Sequence, residues 1–281
     1  MNTSARFDFG PAAPDEIALF LAEAALAAGP AVMEVYAQDC GVRAKDDGSP
    51  VTLADQRSEA IVCENLARAV PQIPVVAEES TAEGKPVACG ERFLLVDPLD
   101  GTKEFIARNG EFTINVALIE KGRPIAGAVY APALARLWFG GEAAFVCEAA
   151  VGAGLPERRA WRPIRARPAP DALVCLASRS HADAATEAFL ARLPVANRLS
   201  RGSSLKFCVI AEGAADVYPR FGQTMEWDTA AGDAVLRAAG GVVLDSAGAP
   251  LIYGKTGSGL RNGAFVAWGD RTAASRFAAQ R

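Results

Sequence analysis

The 281-residue chain has one histidine, His181, so histidine-rich zinc sites and a conventional Ser-His-Asp arrangement have little support. Its six cysteines, Cys40, Cys63, Cys89, Cys147, Cys175 and Cys208, are scattered without a Cys-x-x-Cys pair. That spacing speaks against a zinc ribbon or a thioredoxin-type centre. No Gly-x-x-x-x-Gly-Lys-Ser/Thr loop occurs. No uninterrupted apolar run is long enough for a bilayer, because residues 17–28 are few and broken by Glu23. Residues 2–15 lack the basic start and apolar centre of a secretory signal. Reduced, mostly buried thiols in a cytoplasmic protein are therefore expected. There is no cationic excess either: 29 Lys and Arg stand against 33 Asp and Glu, a formal net charge of −4. Bulk attraction to a nucleic acid polymer or an anionic membrane is not indicated. A small anionic substrate would need local cations or a metal.

What is present is ordinary for a soluble globular protein, 51% hydrophobic and 22% charged, and long enough for two subdomains. Residues 15–36 are rich in Ala and Leu and predict a helix, with Gly29-Pro30 expected to kink or break it. Thr52 suits the N-cap of a helix running to about residue 69, with Asp55 in its first turn. Residues 74–77 predict a short strand ending in Glu78-Glu79-Ser80. Strands are expected at 113–119, 124–130, 137–140 and 144–147, and their close succession predicts an antiparallel sheet. Residues 148–170, rich in Ala, Gly, Arg and Pro, mark a domain boundary. Strand–helix alternation follows: strands at 173–177, 197–199, 216–218, 242–244, 251–252 and 265–268, helices at 182–192, 205–212, 226–239 and 273–279.

The stretch that organises the chain is Phe93-Leu94-Leu95-Val96-Asp97-Pro98-Leu99-Asp100-Gly101-Thr102-Lys103-Glu104-Phe105. Four apolar residues predict a buried strand, which Asp97-Pro98 is expected to stop. Two carboxylates fall three positions apart across a turn. Gly101 permits close backbone approach and Thr102 can open a helix. Paired acids beside a helix start suit hard cations next to a phosphate, since carboxylates coordinate Mg²⁺ and helix N–H groups bind phosphate oxygens.

The run Asp97 to Phe105 resembles the signature of the inositol monophosphatase family of Mg²⁺-dependent, Li⁺-sensitive phosphatases. Its Lys103-Glu104-Phe105 ending, with Arg108-Asn109-Gly110-Glu111-Phe112-Thr113, is similar to the bacterial 3′(2′),5′-bisphosphate nucleotidase branch. Lys45 and Ser49-Pro50-Val51-Thr52 with Asp55 resemble the family segment that points an Asp at the site. Trp227-Asp228-Thr229-Ala230-Ala231-Gly232 resembles its second signature.

The resemblance implies a layered αβαβα, α/β fold. Residues 1–150 would form an α+β subdomain with an antiparallel sheet and most metal ligands, and 151–281 an α/β subdomain carrying Asp228 and substrate-binding groups. It implies two or three Mg²⁺ ions on Glu78, Asp97, the Leu99 carbonyl, Asp100 and Asp228. It also implies catalysis by water, oriented by Thr102 and Asp55 with help from Glu78. A hairpin-like return would put Glu78 near Asp97. Gly101 and Thr102 N–H groups would hold phosphate oxygens beside Asp228. For a second phosphate, Ser203, Ser204, Lys206 and Arg220 are candidates, and Arg179 and His181 could approach the base or ribose.

The implied substrate is 3′-phosphoadenosine 5′-phosphate, cleaved to AMP and phosphate, with a role in sulfur assimilation. The implied protein is a cytoplasmic monomer or homodimer, with peripheral attachment at the inner membrane left open. Inositol 1-phosphatase or fructose 1,6-bisphosphatase activity shares the same metal motifs. A non-catalytic Mg²⁺- or nucleotide-binding protein is the further alternative.

Overall fold

The computed structural model describes residues 12–38, 43–44, 50–85, 87–178 and 184–278. The expectations for Cys40, Lys45, Ser49, Arg179 and His181 lie outside the described residues. In chain order come α1 (Pro14–Ala37), a ribbon of β1 (Arg43–Ala44) and β2 (Pro50–Val51), α2 (Leu53–Ala69), β3 (Val75–Ala77), α3 (Glu78–Ala82), β4 (Arg92–Asp100) and α4 (Thr102–Ile106). Then follow β5 (Thr113–Glu120), β6 (Arg123–Ala131), β7 (Arg136–Gly140), β8 (Ala144–Glu148) and β9 (Arg162–Ile164). The second half contains β10 (Leu173–Ser178), α5 (Ala184–Leu190), β11 (Val195–Arg201), α6 (Leu205–Ala211), β12 (Val217–Arg220), β13 (Thr224–Met225) and α7 (Trp227–Ala238). It ends with β14 (Val242–Asp245), β15 (Arg261–Asn262), β16 (Phe265–Trp268) and α8 (Arg271–Ala278).

Strands β3 to β9 form a seven-stranded sheet in sequence order. All its pairs are antiparallel except β3 and β4. A five-stranded mixed sheet has the order β11-β10-β12-β16-β14. Period-two alternation sends Leu94, Val96, Val116 and Leu118 to α1 and α2, and Phe93, Leu95, Ala117 and Ile119 to the α6–α7 side. Both faces are covered, so β4 reads as a continuous apolar run although it pairs antiparallel with β5 on one side. The second sheet packs on α6 and α7 from the opposite side, and α5 and α8 close its outer face with Leu190, Ala273, Ala274 and Phe277. The layers therefore run helix, sheet, helix, sheet, helix, as expected.

Glycine sets the closeness of the middle layers. A Cβ on Gly127 of β6 would lie 2.8 Å from both the Ala231 carbonyl and the Ala234 Cβ of α7. On Gly232 it would lie 2.5 Å from the Phe207 ring of α6. This close approach is why the helix carries Ala230-Ala231-Gly232.

Several local expectations change. Helix α1 runs unbroken through Pro30. Pro30 sits on the exposed face, while the neighbouring Gly29 makes room for Tyr130, whose ring lies 2.7 Å from where a Cβ would be. By length and composition α1 is apolar enough to cross a membrane. Its Leu21, Ala25 and Val32 are instead buried in the core against the first sheet.

Strand β4 does not stop at Pro98: it continues to Asp100 across a register shift. A bulge is one of the few places a sheet tolerates Pro. The return from β3 to β4 is no hairpin, because the two strands are parallel and a crossover of residues 78–91 joins them. β9, inside the Pro- and Arg-rich stretch, pairs with β8. Residues 251–252 form no strand: Pro250 makes a single bridge to Leu244, and Tyr253 N–H donates instead to the Gly122 carbonyl at 3.0 Å. Cys63, Cys89, Cys147, Cys175 and Cys208 are all free thiols.

Candidate active site

The parallel pairing of β3 and β4 brings both strands to the same edge, with Ala77 opposite Val96. Glu78 and Asp97, the next residues of each, follow there. Along β4, Asp97 faces Asn115 and Asp100 faces Thr113. In a flat strand residues three apart point to opposite sides. The extra residue of the bulge brings both carboxylates to one cavity.

That cavity, about 270 Å³, is lined by Glu78, Asp97, Leu99, Asp100, Gly101, Thr102, Ser203, Lys206, Arg220 and Asp228, among others. Residues from four distant stretches meet there. Gly101 adopts φ +92° at the start of α4, a conformation disfavoured for side-chain-bearing residues. Across it lies the 201–204 loop, where a Cβ on Gly202 would come within 2.6 Å of the Glu104 Cγ. Gly202 N–H donates to Glu111 Oε2 at 2.7 Å and fixes that docking.

The three aspartates are braced by backbone N–H donors. Asp97 Oδ1 accepts the Leu99 N–H at 3.0 Å. Asp100 Oδ2 accepts the Ser204 N–H at 2.6 Å and the Asn115 amide at 3.5 Å. Asp228 Oδ2 accepts the Met225 N–H at 2.8 Å. The turn holding Asp228 is clasped by residues 253–262. Buried Glu226 accepts the Gly254 and Lys255 N–H groups at 2.6 and 2.9 Å and pairs with Lys255 Nζ at 2.7 Å. The Asn262 amide donates to Thr224 Oγ1, the Met225 carbonyl and Thr229 Oγ1.

Burial, followed by repulsion from Glu78, Asp100 and Asp228, holds the Asp97 carboxyl well above the usual carboxylate range. Burial, followed by repulsion from Asp100 and Glu78, does the same for Asp228. Burial lifts Asp100 to about 6 against the pull of Lys206. Lys206 is itself pushed down to about 8 by burial, with Asp100 opposing. Its ammonium donates to the Ser203 carbonyl at 2.5 Å and lies 5.2 Å from the Tyr218 ring centroid. Arg220 donates to the Gln223 carbonyl at 3.2 Å, while its buried Nε has no partner among the described residues.

Asp55 does not line the cavity but reaches it from behind. Thr52 N–H and Oγ1–H both donate to its Oδ2 at 2.7 Å, a capping box that opens α2. The Thr102 hydroxyl lies 3.3 Å from its Oδ1 and 3.4 Å from the Leu99 carbonyl. Burial, opposed by the Thr52 hydrogen bonds, raises Asp55 to about 6. Ser204 is also off the cavity wall: its hydroxyl is spent on Asn115 Oδ1 and Thr113 Oγ1, both at 2.8 Å. Ser203 is on the wall, at φ +45°.

Three contributors escaped the sequence reading. Asn115 interrupts an apolar strand and braces Asp100; a lone amide at a fully buried strand position is the signal that reveals it. Ser58 and Glu59 lie on the buried face of α2, one turn beyond Asp55.

Among the described residues, no three acidic, histidine or cysteine side chains are drawn into a closed coordination shell. The donor chemistry nonetheless fits hard divalent cations. Every candidate ligand is an oxygen, and crowded, desolvated carboxylates are tolerated when positive charge sits among them.

A model of the inositol monophosphatase family matches residues 13–280. The 3′(2′),5′-bisphosphate nucleotidase CysQ of Escherichia coli O157:H7 is 47% identical over 229 residues, 80% of this chain and 89% of that protein. Its namesake from Buchnera aphidicola is 38% identical over 235 residues, 83% and 86% of the two chains. Among solved structures, CysQ from Bacteroides thetaiotaomicron superposes with a TM-score of 0.74 at 36% identity, covering 91% of this chain and 98% of that one. An inositol monophosphatase from Anabaena gives 0.70 at 27% identity, with 95% and 96% covered. The chain belongs to the inositol monophosphatase family.

Proposed function

We propose that the chain is a Mg²⁺-dependent phosphatase that hydrolyses 3′-phosphoadenosine 5′-phosphate at its 3′-phosphate, giving AMP and inorganic phosphate. The observation that carries this is the meeting of Glu78, Asp97, Asp100 and Asp228 in one cavity with the buried cations Lys206 and Arg220. The names of the bisphosphate nucleotidase relatives support the substrate. Glu78, Asp97, the Leu99 carbonyl, Asp100 and Asp228 would hold two or three Mg²⁺ ions. Bound there, the ions supply positive charge to the phosphate oxygens and acidify the attacking water.

The chain's own residues do the rest. Thr102 Oγ1 donates its proton toward Asp55 Oδ1, which leaves its lone pairs to accept the attacking water. As the water oxygen bonds to phosphorus and the P–O3′ bond breaks, the water proton passes to Thr102 and the Thr102 proton to Asp55. Asp55, raised to about 6, is suited to accept it near neutral pH. The leaving 3′ oxygen is protonated from solvent. Gly101 and Thr102 N–H groups would orient the phosphate. Ser203, Lys206 and Arg220 would receive the second phosphate by charge-assisted hydrogen bonds. Ser204, bound to Asp100, would act from behind. We place the activity in the cytoplasm, in sulfur assimilation, and expect inhibition by Li⁺.

The test compares kcat/KM for 3′-phosphoadenosine 5′-phosphate, inositol 1-phosphate and fructose 1,6-bisphosphate in Mg²⁺, with and without Li⁺. The nucleotide should lead, and Asp100→Asn and Asp228→Asn should nearly abolish turnover. A preference for either sugar phosphate overturns the substrate. Undiminished rates in both variants overturn the metal cluster.

A further inference from the structure

Helix α2 carries Asp55, Ser58 and Glu59 at positions i, i+3 and i+4, so the three side chains share one face. All three are buried, at 2%, 0% and 7% exposure. Charged and polar groups at such depth need partners, and each finds one on a different segment of the cavity wall. Asp55 meets the Thr102 hydroxyl of α4 at 3.3 Å. The Ser58 hydroxyl donates to the Pro98 carbonyl of β4 at 2.7 Å, in the middle of the bulge. Glu59 Oε2 accepts the Glu79 N–H at 2.7 Å, and its Oε1 accepts the Ser80 N–H at 2.8 Å and the Ser80 hydroxyl at 2.5 Å.

The Glu59 contacts complete a defect in α3. That helix begins at Glu78, and its N-cap Ala77 has no side chain to satisfy the first N–H groups. Glu59 supplies both acceptors from a neighbouring helix. It thereby fixes the peptide that follows Glu78. Ser58 likewise fixes the peptide that joins Pro98 to Leu99, between Asp97 and Asp100.

We infer that Ser58 and Glu59 are positioning residues for divalent-cation binding: the buried stripe of α2 sets the spacing between Glu78 on α3 and the Asp97–Leu99–Asp100 bulge of β4. The inference rests on the proposed ligand set. Neither residue lines the cavity, so both act through the segments they hold. Losing an outer partner of a metal ligand costs about 10- to 100-fold in metal affinity or activity. A residue that served the fold alone would lower thermal stability and leave the metal constants in place.

The test uses the full chain and its Glu59→Gln and Ser58→Ala variants. Gln keeps one acceptor but places an NH₂ against an N–H donor. Mn²⁺ binding is read by loss of the free-ion electron paramagnetic resonance signal, and Mg²⁺ activation by phosphate release from 3′-phosphoadenosine 5′-phosphate. Both variants should bind Mn²⁺ and respond to Mg²⁺ about 10-fold or more weakly. At saturating metal, substrate KM should be unchanged and kcat within a few-fold.

Unchanged Mn²⁺ affinity in folded variants overturns the inference, as does a kcat loss at saturating metal with affinity intact. If Glu59→Gln fails to fold, Ser58→Ala, which removes one hydroxyl, decides alone. A wild-type chain that binds Mn²⁺ yet leaves the nucleotide intact overturns the substrate, while the resonance comparison still decides the positioning role. A wild-type chain that binds no Mn²⁺ overturns both.

Discussion

The Thr102 hydroxyl meets the Asp55 carboxylate at 3.3 Å, joining positions 47 apart in the sequence. The contact links the start of α4 to the capping box of α2, so one carboxylate both opens a helix and faces the cavity from behind. Asp55→Asn and Thr102→Val should each lower kcat about 10²- to 10⁴-fold. Substrate KM should stay within a few-fold. The wild-type rate should fall as the pH drops below about 6, where Asp55 takes up its proton. Steady-state kinetics from pH 5 to 9, with Mg²⁺ saturating at every pH so that protonation of Asp100 does not limit the rate, checks this, and an acidic limb unchanged in Asp55→Asn would remove Asp55 from the base role.

Asp97 predicts a stability effect with a definite sign. Its carboxyl is held well above 3.8 by burial first, with Glu78, Asp100 and Asp228 adding repulsion. A carboxyl raised on folding favours the fold below 3.8 and weakens it as the pH climbs through its folded value. Asp97→Asn should therefore raise the Tm of metal-free protein at pH 8, and the gain should vanish as the pH approaches 4. Mg²⁺ should raise the wild-type Tm more than that of the variant. Thermal melts in EDTA and in Mg²⁺ at both pH values measure each difference.

Arg220 is buried beside Asp228, with an Nε that has no partner among the described residues. A charge-assisted hydrogen bond to a second phosphate contributes about 1.5–3 kcal/mol, roughly 10- to 100-fold in binding. Arg220→Ala should raise KM for 3′-phosphoadenosine 5′-phosphate by that factor and change inositol 1-phosphate far less. Arg220→Lys should recover only part of the loss, because an ammonium lacks the guanidinium fork. Equal losses on both substrates would place the second phosphate elsewhere.

At Gly127 the backbone of β6 nearly touches α7. Gly127→Ala would set a methyl 2.8 Å from the Ala231 carbonyl and the Ala234 Cβ, neither of which is a flexible side-chain end. Overpacking of this kind costs about 1–3 kcal/mol. The Tm should fall by roughly 2–4 °C per kcal/mol lost. Calorimetry at neutral pH tests it, and an unchanged Tm would mean that the two layers can separate without cost.

Individual elements were legible because their signals are local, whereas the five-layer order came from the resemblance to the family signatures. The apolar run of β4, the Thr52 cap and the helix opened by Trp227-Asp228 announce themselves within a few residues. The acidic residues were legible too, through the two signatures that hold Asp97, Asp100 and Asp228 and through Glu78, which follows the short strand β3. Pairing direction was not: neither the three-residue β3 nor the nine-residue β4 shows from sequence which way the two pair, and only the parallel register, with Ala77 opposite Val96, sets Glu78 beside Asp97. The bulge after Asp97 was hidden for a related reason, because Pro98 reads as a stop whether a strand ends or slips. Ser58 and Glu59 were missed because buried polar side chains look like a solvated helix face until their partners are known. Ser204 and Ser203 are adjacent and chemically alike. The positive φ of Ser203, which no composition reveals, separates the one on the wall from the one behind Asp100.

Helices α6 and α7 form the only layer shared by both sheets among the described residues, and their apolar side chains belong to one core with residues of each sheet. Removing either half would strip that layer on one side and leave a broad oily surface facing water. The amides of β6, α7 and β12 should accordingly exchange with deuterium in a single opening event, with the two halves losing order together. A chain cut between β8 and β9 should yield fragments that hold together until denaturant separates them.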